Sequence, residues 1–474
     1  MNDNLDNYLQ SLKDEYTNIK FEGNIIGIII KNKIEGSEKE IPIGLENLGA
    51  TCYMNATLQC FMHIKEFIKY FKNDKTKENV ISDENNLSYS FKLLIDNLCP
   101  DNKYIKKKSY YAPKEFKKKI SQMNPLFIGR KLVDPKLLIN FIIITLHKEL
   151  NQINDDIMIS KKVVINQFDE EFVFQEFVKD FTLRYNSLVS KLFFGIKLNR
   201  MRCLMCDVRS YNYQVFFSLI FPLEEVRQYN SFKNNCNPIN SYQNNQLSQN
   251  NNQSNQYESN QFNQFSQMQN NFNQFIQFNQ SKNNQFNQLI QNNNIQFNQN
   301  NFPLNQFNLI NGIQLNHINN NNFIDNNVVD IYQCFEYDRR ASLMSGDNEI
   351  FCNHCQHNSA CQIMTSLVTC PNILIIILSR GKGKQFDVKL NFYEDLNLSN
   401  YIEKQETGVY YKLIGVITYL CESGMSSQFI AFCKDYSDNL WYKFNDAIVS
   451  EVEDFKKEVI DFGMPYLLFY QKVR

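Results

Sequence analysis

Histidine is scarce in this chain of 474 residues, which has five, and tryptophan occurs once. Long hydrophobic runs are also missing, since the longest, such as residues 373–378 and 141–146, fall far short of the roughly 20 residues that cross a bilayer. Charge of one sign is not in excess, with 49 basic and 50 acidic residues, which argues against nucleic acid or an anionic membrane as a partner. The N-terminus MNDNLDNYLQ lacks the basic start and apolar centre of a signal peptide, so we expect an intracellular location, cytoplasmic or nuclear.

Cysteine is plentiful by comparison, with 13 residues. An odd set in an intracellular chain indicates metal binding or catalysis rather than a disulfide framework. Two pairs have CxxC spacing, Cys203 with Cys206 in a β-rich hairpin context and Cys352 with Cys355 much later. Each pair can present two thiolates to one tetrahedral zinc ion, and two pairs complete a closed four-sulfur site. The spacing therefore favours structural zinc over four free thiols.

Another cysteine lies where a glycine-punctuated loop meets a helix. Gly44 and Gly49 allow sharp turns, and apolar residues recur at helical spacing after Thr51. We therefore expect Cys52 at a helix N-terminus, where unpaired N–H groups and the positive end of the helix dipole favour the thiolate. On this basis the pKa of Cys52 is expected to lie below the ordinary value of about 8.5. The alternative is a small, buried structural cysteine.

The loop and helix read GLENLGATCYMNATLQC, which closely resembles the cysteine box of the ubiquitin-specific proteases, the papain-like deubiquitinases. The resemblance makes Cys52 the nucleophile and Asn47 the side chain that steadies the oxyanion. Ala50 stands where the family usually carries a second Asn. The implied fold is α+β, the papain-like cysteine protease fold with a helical thumb, an antiparallel β palm and zinc-ribbon fingers. The four CxxC cysteines match the metal ligands of those fingers.

A second resemblance lies in the segment from Asp134 to Leu150, which predicts a buried helix with Asp134 as N-cap and Pro135 at the first helical position. The segment is similar to the family's second helical box, whose acidic residues help to hold the basic tail of ubiquitin. Asp134 matches that box, but Leu137 stands where another acidic residue is expected. His147, near the end of this helix, is interpreted as a packed core histidine.

Composition divides the rest of the chain. Residues 1–40 are expected to form an N-terminal extension, and residues 41–474 a ubiquitin-specific-protease-like domain. At about 227–328 the sequence becomes rich in Asn and Gln with scattered Phe, which predicts a disordered insertion prone to self-association. The insertion is either an interaction segment or inert. A long loop between the two CxxC pairs is tolerable because closure entropy grows only logarithmically with length.

The C-terminal part predicts an antiparallel sheet. Residues 373–378 have the pattern of a buried central strand, and residues 385–392 are expected to be its hairpin partner. Further strands are predicted at residues 411–420, 428–434, 440–445 and 466–473.

In this sheet the resemblance implies a catalytic histidine, but no histidine lies between Gly415 and Phe432. Gln428 occupies the position of the base, and an amide cannot exchange a proton at neutral pH. Asn445 matches the residue that orients the imidazole, and Asp446 is its usual companion. Loss of the base from a hydrolase triad costs on the order of 10⁶ in turnover.

His63 is no substitute for that base. It follows Cys52 by about three helical turns, or roughly 16 Å of rise, which is too far to reach the same thiol.

Three hypotheses follow. The first is a catalytically impaired pseudo-deubiquitinase that binds ubiquitin or ubiquitinated proteins. The second is a cysteine-type deubiquitinase of weak or conditional activity, in which helix-dipole effects keep the nucleophile Cys52 a thiolate and solvent supplies protons. The third is a zinc-ribbon module of unrelated role, with nucleic acid among its candidate ligands, and the balanced charge argues against it.

Overall fold

The structure is a computed structural model, and it describes residues 41–73, 83–99, 109–153, 169–235, 327–380, 387–403, 408–421 and 427–473. The chain divides into two compact units, Met1–Pro42 and Ile43–Arg474. The expected extension at residues 1–40 and most of the expected Asn/Gln-rich insertion lie outside the described residues. The architecture below is that of the second unit.

Helices dominate the first half of this unit. Their bounds are α1 Cys52–Met62, α2 Lys65–Lys72, α3 Leu87–Leu98, α4 Lys114–Met123, α5 Pro135–Leu150, α6 Glu170–Arg184, α7 Leu188–Phe193, α8 Leu223–Asn235 and α9 Ile331–Asp338.

Strands dominate the second half. Their bounds are β1 Gly44–Leu45, β2 Tyr110–Tyr111, β3 Gly195–Cys203, β4 Arg209–Phe216, β5 Leu219–Pro222, β6 Val328–Asp330, β7 Ser342–Met344, β8 Ile350–Cys352, β9 His357–Ser359, β10 Cys361–Thr369, β11 Ile373–Ser379, β12 Lys389–Asn391, β13 Asp395–Asn397, β14 Tyr410–Leu420, β15 Gln428–Lys434, β16 Trp441–Asn445, β17 Ile448–Glu451 and β18 Met464–Lys472.

Helix α1 is the centre of the helical part, and all of its residues are buried. The ring of Phe61 lies 5.4 Å from that of Phe67, 5.9 Å from Phe91 and 5.8 Å from Phe193, centroid to centroid. Aromatic pairs at such spacings add packing energy beyond the area they bury. The cluster thus ties α1 to α2, α3 and α7, and the other side of α1 packs on β15 and β14.

The large sheet has the strand order β17-β16-β15-β14-β18-β11-β5. One face packs against the helices around α1 and the other against a second core that includes α8 and α9. Residues 373–378 of β11 are buried on both faces, which explains their continuous apolar sequence. The predicted strands at residues 373–378, 411–420, 428–434, 440–445 and 466–473 are confirmed within a residue or two at each end.

The predicted hairpin partner of β11 is wrong. Strand β11 pairs antiparallel with β18 and parallel with β5, whereas β12, within the segment 385–392, pairs in parallel with β6. The large sheet is therefore antiparallel except at its β11–β5 edge.

A separate sheet of order β4-β3-β10-β7 forms the fingers. Helix α8 follows β5 and continues to Asn235. The predicted start of the insertion at about residue 227 therefore lies too early, because Arg227 belongs to an ordered helix. Among the described residues, no helix combines the length and the apolar character needed to span a membrane.

Candidate active site and metal centre

Cys52 is the first residue of α1, as predicted, and only 4% of it is exposed. Thr51 precedes the helix without a side-chain cap. Its hydroxyl instead accepts the backbone N–H of Leu48 at 2.9 Å. The residue before the nucleophile thus stabilises the loop rather than the helix.

Asn47 organises the same loop through both ends of its amide. Its Oδ1 accepts the backbone N–H groups of Gly49 at 2.9 Å and Thr51 at 3.1 Å. Its Nδ2 donates to Oδ2 of Asp446 at 2.9 Å. An amide nitrogen carries two N–H groups, so one more is available in this exposed side chain to donate to an oxyanion.

Asp446 joins three segments of the chain. Besides Asn47 it accepts a hydrogen bond from Asn55 Nδ2, at 2.8 Å on Oδ1, and its backbone carbonyl accepts the N–H of Leu45 at 2.8 Å. Asn55 also donates to the carbonyls of Leu45 and Glu46, each at 3.2 Å. Sequence reasoning overlooked Asn55. The signal in the sequence was that Asn55, a polar residue in an otherwise largely apolar helix, lies three residues after Cys52 and so close to the same helical face.

The turn before Cys52 has left-handed backbone at two successive residues, with φ of 104° at Gly49 and 53° at Ala50. Glycine adopts this conformation freely and Asn tolerates it, whereas Ala carries strain there. The family's usual Asn thus suits the backbone at position 50 better than Ala50 does. A Cβ on Gly49 would also lie 2.8 Å from Cδ of Arg130, so the turn packs closely against that side chain.

The expectation of a lowered pKa for Cys52 is wrong. Burial raises the pKa above its ordinary value, and the negative charge of Asp446 raises it further. The backbone N–H groups of Phe429 and Tyr53 act in the opposite direction but do not outweigh these effects. Cys52 is therefore a neutral thiol near pH 7.

The start of strand β15 lies beside Cys52. The backbone N–H of Phe429, the residue after Gln428, donates to the sulfur of Cys52. Strands β15 and β16 are antiparallel, with Ala431 opposite Phe444. One residue further along, the same register places Ile430 opposite Asn445. Because side chains alternate along a strand, Gln428 and Asn445 share the face of Ile430, whereas Phe429 and Ala431 face α1. The structure thus brings Asn47, Asp446 and the backbone of Phe429 to Cys52, and Gln428 and Asn445 are the chain neighbours of Phe429 and Asp446.

The histidines of the described residues lie in other surroundings. His63 is buried, with Nδ1 2.7 Å from the Gln59 carbonyl and Nε2 4.0 Å from Oδ2 of Asp435. Nδ1 of His147 lies 2.7 Å from Oγ of Ser187. Both fit the interpretation of packed structural histidines.

The remaining described histidines, His354 and His357, lie at the second CxxC pair, and His317 is outside the described residues.

Asp134 caps α5 as predicted, since Oδ1 accepts the N–H of Lys136 at 2.9 Å. Its Oδ2 also accepts the hydroxyl of Tyr466 in β18 at 2.9 Å and lies 3.2 Å from Nζ of Lys136. The one acidic residue that matches the family's tail-binding box is thus engaged by the chain itself. Tyr466 carried no signal in the sequence.

The four CxxC cysteines meet at the tip of the fingers. Their Sγ atoms all lie within 4.8 Å of one another, with Cys203 3.8 Å from Cys355 and Cys206 3.8 Å from Cys352. A tetrahedral site with metal–sulfur bonds of about 2.3 Å has sulfur–sulfur edges of about 3.8 Å. The predicted cluster is confirmed, and its geometry fits a zinc ion.

Backbone turns shape this site. Asp207 and Gln356, which directly follow the second cysteine of each pair, both have left-handed backbone, with φ of 59° and 60°. Burial raises the pKa of Cys203, but N–H groups of the turn and neighbouring thiols outweigh it and lower the pKa to about 6. The turns thus favour a thiolate, the form that binds metal.

A family model described as ubiquitin carboxyl-terminal hydrolase matches residues 43–470. The chain belongs to this family. Ubiquitin carboxyl-terminal hydrolase 5 of Arabidopsis thaliana is 30% identical over 185 residues, covering 38% of this chain and 19% of that protein. Ubiquitin carboxyl-terminal hydrolase 15 of Bos taurus is likewise 30% identical over 185 residues, with the same coverages. The match therefore spans about a fifth of the length of these relatives.

Solved structures give the same fold for the family domain. The yeast SAGA DUBm with an Sgf73 mutant aligns with a TM-score of 0.53 at 15% identity, covering 94% of this chain and 74% of that chain. The SAGA Ubp8/Sgf11/Sus1/Sgf73 DUB module bound to ubiquitin aldehyde aligns with a TM-score of 0.52 at 16% identity, covering 96% and 77%. The chain thus has the ubiquitin-specific protease fold, as the sequence predicted.

Proposed function

We propose that this family member is a catalytically impaired pseudo-deubiquitinase that binds ubiquitin or ubiquitinated proteins inside the cell, in the cytoplasm or nucleus. One observation carries the proposal. The N–H of Phe429 contacts the sulfur of Cys52, and the residue before Phe429, which matches the family's base position, is Gln428 rather than histidine.

The chemistry of amide cleavage supports impairment. A cysteine hydrolase needs a base to take the thiol proton and an acid to return a proton to the departing amine. Gln428 does neither at neutral pH. Burial and the charge of Asp446 also raise the pKa of Cys52, so little thiolate forms without a base.

The ubiquitin-binding part of the proposal rests on the family and on the fold shared with a DUB module bound to ubiquitin aldehyde. In this fold a structural zinc ion would be held by Cys203, Cys206, Cys352 and Cys355. The ion would cross-link the two turns of the fingers.

A second candidate function is a weak but active cysteine-type deubiquitinase with Cys52 as nucleophile. The observation that favours it is the intact support of the oxyanion donor, in which Asp446 orients Asn47. Oxyanion stabilisation and substrate binding alone leave a residual catalysis of about 10³–10⁴ over water.

One experiment separates the two. Purified full-length chain is mixed with ubiquitin that carries a C-terminal electrophile, and in parallel with a fluorogenic ubiquitin conjugate. We expect covalent labelling at Cys52, abolished by Cys52→Ala, without measurable turnover of the conjugate. Turnover that disappears in Cys52→Ala would establish the active enzyme instead.

Gln428→His tests whether the imidazole is the missing part. A positioned general base contributes about 10²–10⁴, so we expect turnover to rise by at least about a hundredfold. The matched control is Ser437→His, which puts an imidazole in the exposed turn beyond the far end of β15 and should give no gain. No gain in Gln428→His would show that other parts of the site are also impaired. Absence of ubiquitin binding would refute both candidate functions.

A further inference from the structure

An open depression lies beside the loop that carries Asn47. Its volume is about 630 Å³, and it is bordered by Asn47, Leu48 and Gly49 on one side. The opposite wall consists of helix α4 and the segment that leads to α5.

Four cationic side chains line this depression, Lys114, Lys117, Lys118 and Arg130, against one acidic residue, Glu46. Such a concentration of positive charge contrasts with the whole chain, whose formal net charge is −1. The positive potential is therefore local.

Among the residues that the structure describes, three of these cations have no carboxylate partner. No acidic group of the described residues lies within ion-pair distance of Lys114, Lys118 or Arg130. The charges of the depression thus remain available to a ligand.

The depression has a fixed floor and wall. Lys117 donates to the carbonyl of Phe127, which also accepts the hydroxyl of Ser121 at 2.8 Å. Partial burial lowers the pKa of Lys117, a cost that a bound anion would offset. Arg130 packs closely against the turn, since a Cβ on Gly49 would lie 2.8 Å from its Cδ. Lys117 and Arg130 are thus positioned by contacts with the fold.

We propose that this basic depression binds an acidic peptide segment of a protein partner. The identity of that partner rests on the proposed function: it is the protein to which ubiquitin is attached. The depression adjoins Asn47 and the turn before Cys52, so a protein joined to a ubiquitin tail at Cys52 reaches it directly.

A peptide fits better than other polyanions. The depression sets the apolar Leu48 among its cations, a mixture that suits a peptide whose carboxylates alternate with apolar side chains better than a uniform phosphate backbone. Nucleic-acid binding by contrast depends on extended rows of cations along a groove or face, and the balanced charge of the chain does not supply them.

Fluorescence anisotropy with the full chain tests the proposal. The probe is a labelled peptide rich in Asp and Glu, compared with its Asn and Gln analogue. The variant is Lys114→Glu with Lys118→Glu. The matched control is Lys65→Glu with Lys69→Glu, because these lysines occupy the first and fifth positions of α2, as the other pair does in α4.

We expect the acidic peptide to bind at least about tenfold more tightly than its neutral analogue, and the Lys114/Lys118 variant to lose about tenfold in affinity. The Lys65/Lys69 control should stay within about twofold. Equal losses in both variants, or none, would overturn the proposal. So would displacement by millimolar inorganic phosphate, or tighter binding of labelled single-stranded DNA through the same residues.

Ubiquitin binding by the unmodified chain is measured in parallel. Its failure would refute the proposed function while leaving the peptide result standing. If ubiquitin binds but the acidic peptide does not, the proposal that the depression binds a peptide is refuted and the proposed function is not.

Discussion

Asp446 shows how one residue can serve both structure and reactivity. Its carboxylate orients Asn47 and Asn55, which hold the loop and α1, and its charge raises the pKa of Cys52. The carboxylate that orients Asn47 thus also makes the thiol of Cys52 harder to ionise. An imidazolium beside Cys52 would offset that charge, and Gln428 cannot.

Replacement of Asp446 by Asn should make Cys52 more reactive towards iodoacetamide. Removal of the negative charge lowers the pKa of the thiol, so the midpoint of the pH–rate profile should move to lower pH, because only the thiolate reacts. Loss of a carboxylate acceptor should also cost about 1–3 kcal/mol of unfolding free energy. The rate is read at Cys52 by mass spectrometry.

Asp395→Asn is the control for that measurement, since Asp395 is an exposed partner of Lys412 and such pairs contribute little. An unchanged Cys52 profile in Asp446→Asn would mean that burial alone sets the pKa.

Sequence alone identified Cys52, Asn47, Asn445 and Asp446 as site candidates because their motifs are local. The sequence predicted a lowered pKa for Cys52, and the structure shows why the shift has the opposite direction. The helix terminus is visible in the sequence, but burial and a carboxylate that meets α1 across 391 residues of chain arise only from the tertiary structure.

At the scale of elements, we expect the turns of the fingers to depend on a metal ion bound by the four cysteines. We expect about one zinc ion per chain, measured by elemental mass spectrometry, and its loss in Cys352→Ser. Because metal binding is coupled to folding at such sites, the variant should also unfold at a lower temperature, as chelator treatment of the unmodified chain should.

Cys361→Ser is the matched control, since Cys361 is buried opposite Cys203 in the β3–β10 pairing but lies outside the four-sulfur cluster. It should keep its zinc. Zinc retained in Cys352→Ser, or lost in Cys361→Ser, would contradict the assignment of ligands.

Elements specified by neighbouring residues were predicted well, as α5 shows with its Asp134 cap and Pro135. Strand partners were predicted less well. Glycines at 381 and 383 suggested a hairpin between β11 and the segment at 385–392, but β12 pairs with β6 instead. Such partners are chosen by packing across the whole domain, and no local signal reports them.

At the scale of the molecule, the family match at residues 43–470 spans the Asn/Gln-rich segment without ending there. Helix α8, which precedes residues 236–326, packs against β6, which follows them. Helix α8 is only about 20 Å long, so no part of it is far from the strand that it contacts. A short linker could therefore join the C-terminal end of α8 to the start of β6. We infer that residues 236–326 are an insertion that the fold does not need.

Replacement of residues 236–326 by a Gly/Ser linker of about a dozen residues should therefore leave zinc content and ubiquitin binding unchanged. Each halving of a flexible loop lowers its closure cost by about 0.6 kcal/mol, so unfolding free energy should rise by about 1–2 kcal/mol in denaturant titrations. Self-association, measured by sedimentation velocity, should fall.

A full-length chain with residues 236–326 scrambled is the control that separates composition from sequence. Because Asn/Gln-rich association depends on composition, this control should still self-associate while the linker chain does not. Association lost in both would instead indicate a specific sequence within the insertion. A linker chain that loses zinc or ubiquitin binding would contradict the inferred insertion, since the fingers and the large sheet would then depend on those residues.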